Sequence, residues 1–382
     1  MRLSSAFALL SIAACFAPRA IAQELPAQAE SQSTPQPPTL SAQSTLVLVP
    51  ALVHNKAGQL IFTLKANDFT LTDDGIPQKV RLEQDSGGEP LALVVDIEGG
   101  GAASDKVDRF GALSTMLDAI VGGEPHRIAV VGFDSSPALV TAFTANNDEA
   151  ERGIRALIAD NNGDGGAAIL DSLSFSLDLL RRQPPEYRKT ILLVSETHDG
   201  GSHIALDDAM RNLSDSNTAI YAIGFSSGLS ESKHEAGKAR PDDEPGPAHG
   251  CMSRDPNDPE VDLNKSVAAQ AYDCLTVLAP PLALARAAYV AVRSSLEKNI
   301  PETAAHLTGG EYFSLGKEKT FERDLLAISN HIPNRYVLSF QPQAPHTGFH
   351  AIKVTLPDYT GLEVSARNGY WANPPAAASP RP

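Results

Sequence analysis

The run Leu91-Ala92-Leu93-Val94-Val95-Asp96-Ile97-Glu98, closed by Gly99, Gly100 and Gly101, constrains the fold more than any other stretch of the chain. Its first five residues are apolar without alternation. That is the pattern of a strand covered on both faces in a parallel sheet, not of one with a face in water. The run ends on acidic residues and a turn signal, and in open parallel sheets ligands gather at the carboxyl ends of the strands.

From Pro90 onward, strand and helix patterns alternate. Strands are predicted at Leu91–Asp96, Arg127–Phe133, Leu139–Phe143, Thr190–Ser195, Ala219–Phe225 and Glu311–Leu315. Helices are predicted at Ser104–Val121, Asp148–Ile158, Ala167–Arg182, Ile204–Leu213 and Thr320–His331. Such alternation implies right-handed crossovers and an α/β, doubly wound, mostly parallel sheet. The third strand follows the second after only Asp134-Ser135-Ser136-Pro137, too short a link for a parallel crossover, so an antiparallel edge strand is expected there.

Short β-rich segments flank this core. Thr45–Val53, Gln59–Leu64, Phe69–Leu71 and Lys79–Glu83 precede it, with a hairpin-type turn at Asp73-Asp74-Gly75 before Ile76-Pro77. Tyr336–Phe340, His350–Leu356 and Gly361–Ala366 follow it. The two ends are expected to pair as one small β module with Trp371, the single tryptophan, as a core anchor. Ser230 to Asp262, rich in Pro, Asp, Glu, Gly and Lys, reads as an exposed insertion. Leu282–Val292 is apolar, but Arg286, the Pro280-Pro281 pair and its short length point to a packed helix begun by proline, not a membrane span.

At the start of the chain, Arg2, the apolar stretch Phe7 to Phe16 and Ala20-Ile21-Ala22 form a secretory leader pattern with cleavage after Ala22. An alternative places a lipid on Cys15. The protein is therefore expected to be exported, periplasmic or secreted. Loss of Arg2 and Arg19 with the leader takes the 31 basic residues to 29, against 46 acidic ones. So acidic a chain is a poor partner for nucleic acid or anionic membranes. The two cysteines that remain, Cys251 and Cys274, predict one disulfide in an exported chain. The expected organisation is a leader (1–22), a linker (23–42), a β module (43–88 with 335–373), an α/β domain (89–334, insertion about 226–281) and a tail (374–382).

Five words of sequence, in order, carry a family resemblance: Lys65-Ala66-Asn67-Asp68-Phe69-Thr70-Leu71-Thr72-Asp73-Asp74-Gly75; Pro90 to Asp96; Gly165-Gly166-Ala167-Ala168-Ile169-Leu170-Asp171; Thr308-Gly309-Gly310-Glu311-Tyr312-Phe313; and Ala366-Arg367-Asn368-Gly369-Tyr370-Trp371. With these, the chain resembles the exported bacterial VWFA-related proteins of the acidobacterial type, which carry a von Willebrand factor A-type domain. That resemblance implies binding of a protein partner through a Mg²⁺ held at the top of the sheet by Asp-x-Ser-x-Ser, a Thr and an Asp. Here the first Asp is Asp96, the two Ser positions are Glu98 and Gly100, the Thr position is Ala167 and the last Asp position is Glu196. Gly100 and Ala167 offer no side-chain oxygen to a hard cation, so the usual metal site is expected to be degenerate. The alternative is a divalent cation held by the carboxylates of Asp96, Glu98 and Glu196 alone.

Other patterns carry less. His198 and His203 lie five apart in a Gly-rich loop and share no helical face, so a hydrolase built on His198 and Asp199 is a minor alternative. Asp255 to Asp262 lacks the central glycine of a Ca²⁺ loop. The expectation is a non-enzymatic binding protein, engaging a protein or cell-envelope component through a rim of Asp96, Glu98, Asp134, Glu196 and Asp199.

Overall fold

Eight consecutive residues, Leu91 to Glu98, are all buried, as the unbroken apolar run requires. The computed structural model describes residues 46–83, 89–99, 113, 117–159, 163–164, 166–225, 280–315, 318–343 and 346–372. In chain order the first strands are β1 (Val47–Asn55), β2 (Thr70–Asp73), β3 (Ile76–Gln78), β4 (Arg81–Glu83) and β5 (Leu91–Glu98). Helix α1 (Leu117–Val121), strands β6 (His126–Phe133) and β7 (Pro137–Thr144), and helices α2 (Asn147–Ala159) and α3 (Ile169–Arg181) follow. Next come β8 (Arg188–Glu196), α4 (Leu206–Asp215), β9 (Thr218–Phe225), α5 (Pro280–Lys298), α6 (Ile300–Thr308), β10 (Tyr312–Ser314) and α7 (Glu318–His331). The chain closes with β11 (Tyr336–Phe340), β12 (Gly348–Thr355), β13 (Leu362–Ala366) and β14 (Gly369–Ala372). The leader, the linker, the cysteines Cys251 and Cys274, nearly all of the insertion, the tail and Gly100 lie outside the described residues.

Six strands make the central sheet in the order β10-β9-β8-β5-β6-β7. All neighbours are parallel except β6 and β7, so the short link after Phe133 does produce an antiparallel edge strand. The strand period of two divides β5 between two cores. Ala92 and Val94 face α3 and α4, with Leu173, Leu177 and Met210. Leu91, Leu93, Val95 and Ile97 face the other layer, with Leu117, Ile154, Phe321 and Leu325. Full burial of each such aliphatic side chain contributes roughly 1.5–3 kcal/mol. This is the doubly wound sheet with an antiparallel edge that the von Willebrand factor A resemblance implies.

The chain ends build the β module. Two four-stranded sheets, β13-β1-β11-β4 and β14-β12-β2-β3, share one core that includes Val49, Phe69, Leu71, Leu338, Phe340 and Tyr370. Strands β2 and β3 turn on Asp74 and Gly75, both at positive φ (50° and 80°), as a two-residue hairpin link favours. Gln59–Leu64 is not the strand expected from its composition. Leu60 makes a single bridge to His54, Ile61 N–H donates to the Val53 carbonyl, and a side chain then takes over: Leu64 N–H donates to the Tyr336 hydroxyl, which donates to the Ile61 carbonyl. Helix α6 was not anticipated, although its signals are in the sequence: Asn299 accepts from the Glu302 N–H, Pro301 sits in the first turn and Gly309 ends the helix at φ 77°.

Trp371 does not anchor the inside of the module. It lies half-buried at the module's border, under the Arg211 guanidinium (4.7 Å to the ring centre) and edge-on to Tyr289. Arg367 ties the same border. It is buried, its Nε donates to the Gly369 carbonyl at 2.7 Å, and an Nη donates to the Ser214 carbonyl in the last turn of α4. A cation suits that helix end. Arg367→Met keeps much of the volume but leaves two buried carbonyls without their donor. Its unfolding free energy in urea should fall by about 3 kcal/mol or more; a loss below about 0.5 kcal/mol, typical of a neutral surface change, would contradict this role.

Candidate functional site

Three loops meet at the carboxyl edge of the central sheet: the β6–β7 turn (134–136), the approach to α3 (163–168) and the segment after β8 (197–205). They are hydrogen-bonded to one another. Ala168 N–H donates to the Asp134 carbonyl at 2.8 Å, and Ser135 N–H donates to Asp164 Oδ1 at 3.2 Å. Ala167 and Gly200 exchange backbone bonds of 3.3 and 2.7 Å. The first N–H groups of α3, which have no partner within a helix, are capped from the β8 loop: Leu170 donates to Asp199 Oδ1 at 3.2 Å and Asp171 to Ser202 Oγ at 3.1 Å. Asp171 returns the favour, accepting from His203 N–H and Ile204 N–H, both at 2.9 Å. The close approach depends on Gly166, where a Cβ would lie 2.6 Å from the Ser135 nitrogen.

The five rim residues expected from the sequence divide sharply. Asp96, Glu98 and Glu196 are buried beneath the edge, Asp134 is half-buried and Asp199 is exposed. Asp96 is therefore no surface contact. Its two carboxylate oxygens accept from Ser172 Oγ (2.7 Å) and Ser176 Oγ (2.8 Å), hydroxyls that the i, i+4 spacing places on the same face of α3. Burial pushes the Asp96 carboxyl up to about 7, against the opposing pull of the two hydroxyls. Glu98 Oε2 accepts from the Glu196 N–H at 2.7 Å, bridging the ends of β5 and β8.

This donor set does not fit a Mg²⁺ held as the resemblance implies. Ala167 supplies no side-chain oxygen, and both Asp96 oxygens are turned onto α3 hydroxyls. Nor do Asp96, Glu98 and Glu196 gather into a three-ligand cluster; among the described residues the one such group is Asp74, His346 and His350, in the β module. The His198/Asp199 pair also parts company: His198 Nδ1 lies 2.9 Å from Thr197 Oγ1, while Asp199 accepts from Leu170 N–H, Ser202 N–H and Ser202 Oγ.

The Asp74, His346 and His350 cluster was not anticipated. Its sequence signals, an Asp-Asp-Gly hairpin turn and a His-x-x-x-His spacing entering a strand, lie far apart in the chain and only the fold joins them. His350 Nδ1 lies 3.0 Å from Asp73 Oδ1 and 2.9 Å from Asp74 Oδ2. Burial alone would lower the His350 pKa, but the bonds to Asp73 and Asp74 outweigh it and hold it at about 10. Burial would raise Asp74, and its bonds from His346, His350 and Ala351 bring it instead to about 2.

A scan against protein-family profiles found no match, and a search of curated proteins found none. Among solved structures, the chain is similar to proximal thread matrix protein 1 from the mussel byssus (18% identity, 39% of each chain, TM-score 0.31). It is also similar to an aerotolerance-related membrane protein from Bacteroides fragilis (13% identity, 63% of this chain and 98% of that one, TM-score 0.34) and to the SpRpn10 VWA domain (11% identity, 37% and 78%, TM-score 0.28). The chain thus spans well under two thirds of the mussel protein's length. The architecture itself is defined by its strand order and the single antiparallel edge.

Because the folded chain holds the Asp96 proton more tightly than an unfolded one, this residue favours folding at low pH, and that contribution is lost as pH rises from about 4 to about 7. The full effect is roughly 4 kcal/mol. Urea unfolding across this range should show wild type losing stability relative to Asp96→Asn, with the difference growing up to pH 7 and then levelling. Parallel pH profiles for the two proteins would contradict the assignment.

Proposed function

We propose that the chain is a non-enzymatic binding protein that engages a cationic surface of a protein or cell-envelope partner directly, through the carboxyl edge of its six-stranded sheet and without Mg²⁺. One observation supports this above others. The loops of that edge are stitched into a single platform that carries Asp134, Asp164 and Asp199, and residues 96–99, 134–136, 163–164, 166–168 and 196–205 contain no Lys or Arg. A platform already ordered by its own hydrogen bonds loses little conformational freedom on binding. One-signed charge at its surface favours a partner of opposite sign and speeds encounter. Hydrogen bonds from Gly166 N–H and the Ser135 side hold the exposed Asp164 carboxyl below its usual range, so the charge persists well into acid.

The same reading keeps the protein exported after cleavage behind Ala22, with Cys251 and Cys274 joined. Among the described residues no helix is long and apolar enough to cross a membrane. The atypical carboxylate metal site and the His198/Asp199 hydrolase gain no support from the placement of their residues.

Calorimetric titration with a lysine-rich peptide tests the proposal. Asp164→Asn with Asp199→Asn removes two charges and leaves one acceptor oxygen at each position, which at 199 still serves Leu170 N–H and Ser202 Oγ while the bond from Ser202 N–H is given up. Affinity should fall about tenfold, as expected for two exposed charge contacts of up to about 1 kcal/mol each. Wild-type affinity should weaken with added salt and be unchanged by EDTA. Unchanged affinity in the double variant, or binding abolished by EDTA, would overturn it.

A further inference from the structure

We propose that Asp74, His346 and His350 form a binding site for a divalent transition-metal ion, with Zn²⁺ the best match to its donors. The site belongs to the β module and does not depend on the acidic edge.

The first support is convergence. Asp74 Oδ2 lies 2.8 Å from His346 Nε2 and 2.9 Å from His350 Nδ1, and one ligand atom from each residue falls within 4.8 Å of the other two. Two imidazole nitrogens and a carboxylate oxygen suit Zn²⁺, which takes three protein ligands and leaves a fourth position for water or a further group. Asp73 Oδ1, 3.0 Å from His350 Nδ1, is placed to be that group or to accept from a bound water.

The second support is the outer shell. His350 Nε2 lies 2.9 Å from the His346 carbonyl, and His346 Nδ1 lies 3.1 Å from the Thr347 carbonyl. A carbonyl only accepts, so these nitrogens carry protons, and the opposite nitrogen of each ring is the one directed at Asp74. Histidine ligands of metals are oriented by this kind of backbone bond. The carboxylates are held as well: Asp74 Oδ1 accepts from Ala351 N–H at 2.8 Å, and Asp73 Oδ2 from the Tyr370 hydroxyl at 3.0 Å.

The third support is charge. Asp73 and Asp74 are both 3% exposed, so two negative charges sit side by side out of water, a setting in which a dication is well compensated. The His346 and His350 rings stack with centres 3.8 Å apart, which brings one nitrogen of each to the same Asp74 oxygen. His346 is 22% exposed and offers the way in. A small fanning of its ring opens room for bonds of the usual 2.0–2.1 Å length. Each ring nitrogen that takes the metal releases any proton it holds to solvent.

The test uses the purified full chain, stripped with chelator and titrated with Zn²⁺ at about pH 8 against a chromophoric competitor. Co²⁺ serves as a spectroscopic substitute. The expected result is one equivalent of Zn²⁺, a visible Co²⁺ spectrum of a low-coordinate N/O site without thiolate charge transfer, and a raised unfolding midpoint with Zn²⁺. His346→Ala should weaken Zn²⁺ binding at least about tenfold and remove the Co²⁺ spectrum, whereas Cys251→Ser with Cys274→Ser should leave both unchanged. His346→Gln preserves a hydrogen-bond donor to Asp74 and serves if the alanine variant folds poorly. The absence of saturable binding, or binding that survives both His346 variants, would overturn the site.

Discussion

Strand β1 hydrogen-bonds on one side to β11 and on the other to β13, so that Val47 faces Phe340 while Asn55 faces Leu362. A strand near the start of the described chain is thus fixed between two strands from its far end, and the whole α/β domain is threaded through the connection. Non-local pairing of this kind carries a large closure cost in chain entropy. It is offset by the shared core of the module and by the contacts at its border, where Arg367 closes the end of α4 and Trp371 packs under Arg211. The β module is therefore part of what holds the central sheet in place, and not an appendage to it.

With the frame fixed, the carboxyl edge of the sheet has little left to move. Asp96 is spent on two serine hydroxyls of α3, Glu98 on the end of β8, and Asp199 on the first turn of α3. In this arrangement carboxylates do the organising that a bound cation would otherwise do. Of the acids at this edge, Asp164 and Asp199 are exposed and Asp134 is half-buried.

The central sheet was legible because its signal is local: an unbroken apolar run, a short link forcing an antiparallel edge, and helical periods between. Strand limits differ from expectation by only a few residues, as for Leu91–Glu98 against Leu91–Asp96. Gln59–Leu64 misled because its pairing with β1 stops at Ile61, and the Tyr336 hydroxyl, supplied from the other end of the chain, bonds the Ile61 carbonyl and Leu64 N–H. The acidic rim was legible as charge but not as exposure. Period two places Asp96 and Glu98 toward α3, and only the presence of Ser172 and Ser176 opposite decides that Asp96 turns inward. The cluster's only local signal was the His346-x-x-x-His350 spacing, since Asp74 meets it across the β2–β12 pairing.

The loops at the proposed binding edge are joined by their own hydrogen bonds, which on the proposed reading order the edge without Mg²⁺. Amide hydrogen exchange at single-residue resolution tests it directly, in EDTA and again with Mg²⁺. The amides of Ala168, Leu170 and Gly200 should be protected to the same degree in both conditions. Rapid exchange at these positions in EDTA, with protection appearing only when Mg²⁺ is added, would contradict the account.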